Sequence, residues 1–214
     1  MWQQLFSYTI GMFVALFPIA NPIGAVPIFY TMTADDTKPY RLKQARQTSI
    51  NVVLVLVTFL LAGKLILSFF GISLGILQIA GGLIVAHTAW EMVTARQRLT
   101  ESEHQEAVDK DDISFTPMAV PLISGPGAIG VVISLSERAN EWLAYAGCLV
   151  GIAAFGLSLY LFLVLGEPLI RAMGRNGIGA MNRVLGFLIL AIAVQLIAEG
   201  IVAFIQQSMP SLLR

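Results

Sequence analysis

The sequence predicts an all-α polytopic membrane protein. Six transmembrane segments are expected as two inverted three-helix repeats, with segments 1 and 4 each broken at mid-membrane. Three observations carry this expectation. The chain of 214 residues is 57% hydrophobic and only 12% charged, with a mean hydropathy of +0.78, whereas a soluble domain carries roughly 25% charged residues. Six stretches approach or exceed the about 20 apolar residues that a bilayer requires: 5–31, 49–70, 72–93, 114–135, 142–166 and 183–206. Two of them carry the same kind of interruption, LFPIANPIGAVP and PMAVPLISGPGAIG, which places Pro22 and Pro126 104 residues apart.

No Lys or Arg precedes Lys38, so the first segment lacks the basic start of a secretory signal and is read as a retained span. Segments 2 and 3 meet at a tight turn around Gly71. Residues 94–113, TARQRLTESEHQEAVDKDDI, form an acidic, polar linker between residues 1–93 and 114–214, the two proposed repeats; its His104 reads as solvated. Orientation follows from the basic residues. Lys38, Arg41, Lys43, Arg46, Arg96, Arg98, Lys110, Arg171, Arg175 and Arg183 fall in the connections after segments 1, 3 and 5, and make up ten of the thirteen Lys and Arg. Arg138 and Arg214 fall on the other side, with Lys64 near its edge. Both termini are therefore expected on the extracytoplasmic side of a bacterial inner membrane.

Three spans per half force the second half to enter the membrane from the opposite face, so related halves must be inverted. Besides the two prolines, Gly81 aligns with Gly186 at an offset of 105, and FGISLGILQIAGGLIV resembles NGIGAMNRVLGFLIL. At each break, proline removes an N–H and frees a carbonyl one turn back, which hydrocarbon tolerates only where the carbonyl is buried in protein or lines a polar cavity. Asn21–Pro22 has the order of a helix cap followed by the first helical position, and so has Ser124–Gly125–Pro126. Each break is thus expected to start a second half-helix. Its N-terminus carries about half a positive charge and free N–H donors, suited to a carboxylate. Asn21, Pro22, Gly24, Ser124, Gly125, Pro126 and Gly127 are the candidate substrate-binding residues, the glycines because a ligand can approach their backbone. The plainer reading of each break is a proline kink shaped for helix packing.

Ionisable groups at membrane depth are candidates for ion coupling. Glu199 and Gln195 share a face of segment 6, as do His87 and Glu91 near the inner end of segment 3. The alternatives are a solvated Glu199 and an interfacial His87–Glu91 pair. Lys64 is placed to snorkel outward, and Gln78 to bond across helices. Gly147 and Gly151 form a GxxxG pair, and Gly82 with Ala86 a small-xxx-small pair, both signs of close packing within one chain or across a homo-oligomer. The lone Cys148 makes no internal disulfide. No metal-ligand cluster, HExxH or GxxxxGK[ST] pattern occurs, and no basic run suits nucleic acid. The chain is therefore not expected to be an enzyme or to use ATP, and no cofactor is implied beyond a coupling H+ or Na+.

NPIGAVPIF, PLISGPGAI and the intervening IAGGLIV resemble the MarC family of six-span bacterial inner-membrane proteins, over nearly the whole chain. A relative within that family transports glycine and alanine. The resemblance implies a carrier of small neutral amino acids with its site at Asn21, Pro22, Gly24, Gly125, Pro126 and Gly127. It would work by alternating access, with an exporter or channel for another small solute as the alternative. The family's name comes from antibiotic resistance, but these residues give no support to drug efflux.

Overall fold

The computed structural model describes residues 2–94, 112–139 and 141–208. The linker over 95–111, with Arg96, Arg98, His104 and Lys110, lies outside the described residues, as do Arg214 and the side chain of Arg175. Among the described residues every regular element is helical. Helix α1 (Trp2–Ala20) is followed after one residue by α2 (Pro22–Met32), then α3 (Lys38–Phe70) and α4 (Leu74–Val93). The second half holds α5 (Ser114–Ile123), α6 (Pro126–Arg138), α7 (Trp142–Val164) and α8 (Gly166–Ser208). α5 is an irregular coil: Thr116 and Val120 are extended, and the peptide bonds before Pro117 and Pro121 are cis.

Five helical stretches are long and apolar enough to cross a membrane, the last being Gly177–Gln207, and the α5–α6 pair, bent by 66°, makes a sixth. Their outward faces are apolar, with Phe69 82% exposed and Leu65, Leu157 and Phe187 similarly bare. Such a surface suits lipid rather than water.

Several boundaries differ from the sequence expectation. Segment 1 was expected as two half-helices sharing one span over 5–31, the second starting at Pro22; α2 does start there and has 11 residues, but α1 alone has 19 residues, about 28 Å of helix. α3 begins at Lys38, eleven residues before the apolar run, because its basic first turns continue the helix beyond the apolar region. The stretch 167–182, read as a connection, is helical apart from Gly174 at φ 64°. Apolar side chains there, such as the buried Ile178, give the helix a packed face despite its glycines. The turn at Gly71 is as expected: Gly71 caps α3 at φ 65°, and the N–H groups of Gly71 and Ile72 return to Ser68 and Leu67.

Helix association in lipid rests on close packing more than on the hydrophobic effect, and glycines set the approach here. α4 and α8 run antiparallel in contact along their length, with Gly75 against the Gly200 carbonyl at one end. A methyl built on Gly82 would lie 3.0 Å from the Ala193 carbonyl and 3.2 Å from the Ile197 N. One built on Gly186 would lie 3.1 Å from the Ala89 carbonyl and 3.1 Å from the Val93 N. Gly82 and Gly186, Ala89 and Ala193, and Val93 and Ile197 are each 104 residues apart, so contacts of the same kind occur at both places. The helix pairs α1–α7 and α3–α5, α2–α7 and α3–α6, and α2–α8 and α4–α6 also pack together. The GxxxG of α7 is spent within the chain. Gly147 meets the Leu5 carbonyl and Tyr8 of α1, and Gly151 meets Thr9 and Met12.

Candidate functional site

At the first break Asn21 takes a left-handed conformation, φ 45° and ψ 67°, which asparagine tolerates better than most residues. This turns the chain between α1 and α2 while keeping its backbone bonded. The Asn21 N–H donates to Phe17 O at 3.1 Å, and the Asn21 carbonyl accepts from the Ala25 N–H at 3.1 Å. Its side-chain Oδ1 accepts from the Gly24 N–H at 3.0 Å, and Nδ2 donates to Met92 Sδ on α4 at 3.6 Å. Asn21 is buried, and α2 is a capped helix whose first-turn donors are largely engaged.

The second break is more open. Gly125 is extended at φ −72° and ψ 175° and supplies no side-chain cap to α6. The Ile129 N–H is taken by the Gly125 carbonyl, while Gly127 and Ala128 have first-turn N–H groups without a side-chain cap. Ser124 is fully buried, its N–H bonded to Ala119 O at 2.8 Å and its Oγ without a hydrogen-bond partner.

A cavity of about 80 Å³ lies against this second break. Gly125, Pro126, Gly127 and Ala128 line it together with Ile19 of α1, Val85 and Thr88 of α4 and Ile189 of α8. That volume is several times the roughly 10–15 Å³ that a single water requires. No charged side chain lines it, and Thr88 provides the single hydroxyl among the lining residues. Thr88 Oγ1 donates to Ile84 O at 3.1 Å, which leaves its lone pairs as acceptors.

The structure thus brings Gly125, Pro126 and Gly127 to one cavity; Asn21, Pro22, Gly24 and Ser124 do not line it. Ile19 joins the two breaks, since it lines the cavity and lies 3.3 Å from where a Gly127 methyl would stand. Each candidate glycine also has a packing role. A methyl would strike the Asn21 side chain at Gly24, the Pro121 carbonyl at Gly125 and Val85 at Gly127. Sequence reasoning missed Val85, Thr88 and Ile189. They read as ordinary positions of apolar helices, and only the antiparallel crossing of α4 and α8 brings them beside α6. Val85 and Ile189 are again 104 residues apart.

The candidate coupling residues lie elsewhere. Glu199 accepts from Arg138 Nη2 at 2.9 Å and from Gln195 Nε2 at 3.0 Å. His87 Nδ1 stands 4.0 Å from Glu91 on an exposed face. Gln78 Nε2 donates to Ser134 Oγ at 2.8 Å, a buried tie between α4 and α6. Lys64 lies over the Tyr145 ring at the α7 start. At the opposite end of the bundle Arg41 donates to Thr33 O and Oγ1 and lies over the Tyr30 ring, closing the C-terminus of α2. Among the described residues no cluster of three His, Cys, Asp or Glu has the arrangement of a metal site.

Apolar crossing helices around a small uncharged cavity define a polytopic α-helical membrane protein. The chain belongs to the MarC family: the model described as "MarC family integral membrane protein" matches residues 6–205. It is similar to the UPF0056 membrane protein YvbG of Bacillus subtilis, at 35% identity over 92% of this chain and 96% of that protein. A UPF0056 membrane protein of Pyrococcus abyssi is 36% identical over 89% of this chain and 92% of its own length. The Escherichia coli protein YhcE is 31% identical over 94% and 96%. No solved structure matches the chain.

Proposed function

We propose that the chain is a secondary transporter of small neutral amino acids of the size of glycine or alanine, and not an enzyme. It would act by alternating access between two inverted three-helix repeats, α1–α4 and α5–α8, with α1–α2 and α5–α6 as the broken segments. The observation that carries the reading is the uncharged cavity at the start of α6, which lies beside the related pair Val85 and Ile189. A zwitterion suits such a site: the first-turn N–H groups of Gly127 and Ala128, which have no side-chain cap, would serve a carboxylate, and Thr88 Oγ1 would accept from an ammonium group. The repeated contacts of Gly82 and Gly186 support inverted repeats, the arrangement that puts transporter sites between halves at broken helices.

In this reading the end of the bundle bearing Lys38, Arg41, Lys43 and Arg46 faces the cytoplasm of a bacterial inner membrane. The end bearing Tyr8, Arg138 and Glu199 faces outward, with both termini. The apolar walls, Ile19, Val85 and Ile189, favour as second reading an exporter or channel for a less polar small solute. Uptake of labelled glycine and alanine into liposomes, under imposed H+ or Na+ gradients, separates these readings. Saturable uptake driven by one gradient supports the amino acid carrier. Absence of uptake or binding for every small neutral amino acid refutes it.

A further inference from the structure

The Arg138–Glu199 ion pair has a position in the bundle that its strength alone does not explain. Arg138 ends α6 and lies ten residues beyond Ala128; Glu199 lies ten residues beyond Ile189 on α8. Ala128 and Ile189 both line the cavity. At 1.5 Å per residue, both partners therefore sit about 15 Å from the cavity, along two helices that border it. The 2.9 Å contact between them spans α6 and α8 at one end of the bundle. Two further bonds set its geometry: Gln195 Nε2 donates to the other Glu199 carboxylate oxygen at 3.0 Å, and Tyr8 OH of α1 donates to the Arg138 carbonyl at 2.7 Å.

Among the described residues no ion pair mirrors this one at the other end. Exchanging the halves relates Arg138 to Ala34 and Gln195 to Glu91, and the nearby cation, Arg41, closes its own half-helix by bonding Thr33. The contact is thus an asymmetric feature added to a repeated framework. Its side chains are partly exposed, 56% for Arg138 and 38% for Glu199, and an exposed pair contributes little to stability and is screened by salt. That weakness suits a contact that must break in every cycle.

We propose that Arg138 and Glu199 form the extracytoplasmic latch of the transport route, holding α6 against α8 when the outer end is closed. This rests on the transporter reading given above and assigns Glu199 to gating rather than to ion coupling. The test replaces Cys148 by Ala, places a reporter in the cavity with Thr88→Cys, and applies a membrane-impermeant charged thiol reagent from outside. Glu199→Gln and Arg138→Gln should each speed labelling roughly two- to fivefold, the population shift that an exposed pair supplies. The charge exchange Arg138→Glu with Glu199→Arg should restore slow labelling. High salt should speed labelling of the parent but not of Glu199→Gln. Unchanged labelling in both single variants overturns the latch, as does fast labelling in the charge exchange. Labelling needs no substrate, so the two readings fail separately. With uptake measured on the parent that keeps Thr88, a labelling change without uptake of amino acids keeps the latch and removes the substrate, whereas uptake with unchanged labelling does the reverse.

Discussion

The repeated contact of α4 with α8 makes a quantitative prediction about Gly82 and Gly186. An alanine at Gly82 would bring its methyl to 2.6 Å from Ile197 Cγ1 and 3.0 Å from the Ala193 carbonyl. An alanine at Gly186 would meet Met92 Cβ at 2.8 Å, with backbone atoms of Ala89 and Val93 at 3.1 Å. Backbone atoms and a Cβ have no rotamer by which to retreat, so the helix axes must separate. Overpacking of this kind costs about 1–3 kcal/mol, while the helical preference of alanine over glycine returns at most about 1 kcal/mol. Each substitution should therefore destabilise by about 0–2 kcal/mol, and the two by similar amounts. The contact points are seven residues apart along α4, about 10 Å, so the double variant should show nearly the sum. Gly11 is the control: a methyl there meets nothing within 4 Å, and Gly11→Ala should stabilise by up to about 1 kcal/mol. Denaturant unfolding in mild detergent, followed by circular dichroism, measures all four variants. If Gly82→Ala or Gly186→Ala stabilises as much as Gly11→Ala, the reasoning is refuted. A large cost at one site and none at the other contradicts the proposed equivalence of the two halves.

Asn21→Ala removes the cap on Gly24 and puts an ordinary residue at φ 45°, and should cost about 1–3 kcal/mol in the same unfolding assay; Asn21→Gly, which keeps the backbone, should cost clearly less. Thr88→Val preserves shape and removes the cavity hydroxyl, so the KM for a small amino acid should rise about tenfold with the fold intact, and an unchanged KM would place the solute elsewhere. Asp112 accepts hydrogen bonds from Ser114, whose N–H lies 2.8 Å away, with Lys43 nearby, and its carboxyl is held below the ordinary 3.8. A lowered folded value means that its stabilising contribution is complete above pH 3.8 and is lost as pH falls through the folded value. Asp112→Asn should flatten this part of the stability–pH profile, and an unaltered profile would show that the bond contributes nothing.

Much of the fold was legible because apolar length is a direct reading of bilayer thickness. The helices around Leu56, Val85 and Ile152 follow from that alone, and Gly71 announced its turn by being the one residue that adopts a positive φ without strain. The break at Asn21 was legible for a similar reason, since an Asn–Pro pair inside an apolar run has few other uses. The break at Gly125 was visible as a position but not as a shape: α5 mixes extended and helical residues, and no periodicity encodes that. The cavity walls on α4 and α8 were hidden because Val85, Thr88 and Ile189 become neighbours of α6 only through long-range packing. Glu199 stood out as an acid in an apolar segment, yet its partner Arg138 lies 61 positions away, a distance at which sequence patterns carry no pairing information. Gly81 and Gly82 are indistinguishable in the sequence, and only packing shows that a methyl on Gly82 would meet the Ala193 carbonyl.

Uptake by purified protein in liposomes tests the central claim most directly. Labelled glycine and alanine should enter saturably under an imposed H+ or Na+ gradient, compete with each other, and enter more slowly when Thr88 is valine. Failure of either amino acid to bind or be taken up, with the protein folded and correctly inserted, would contradict the account.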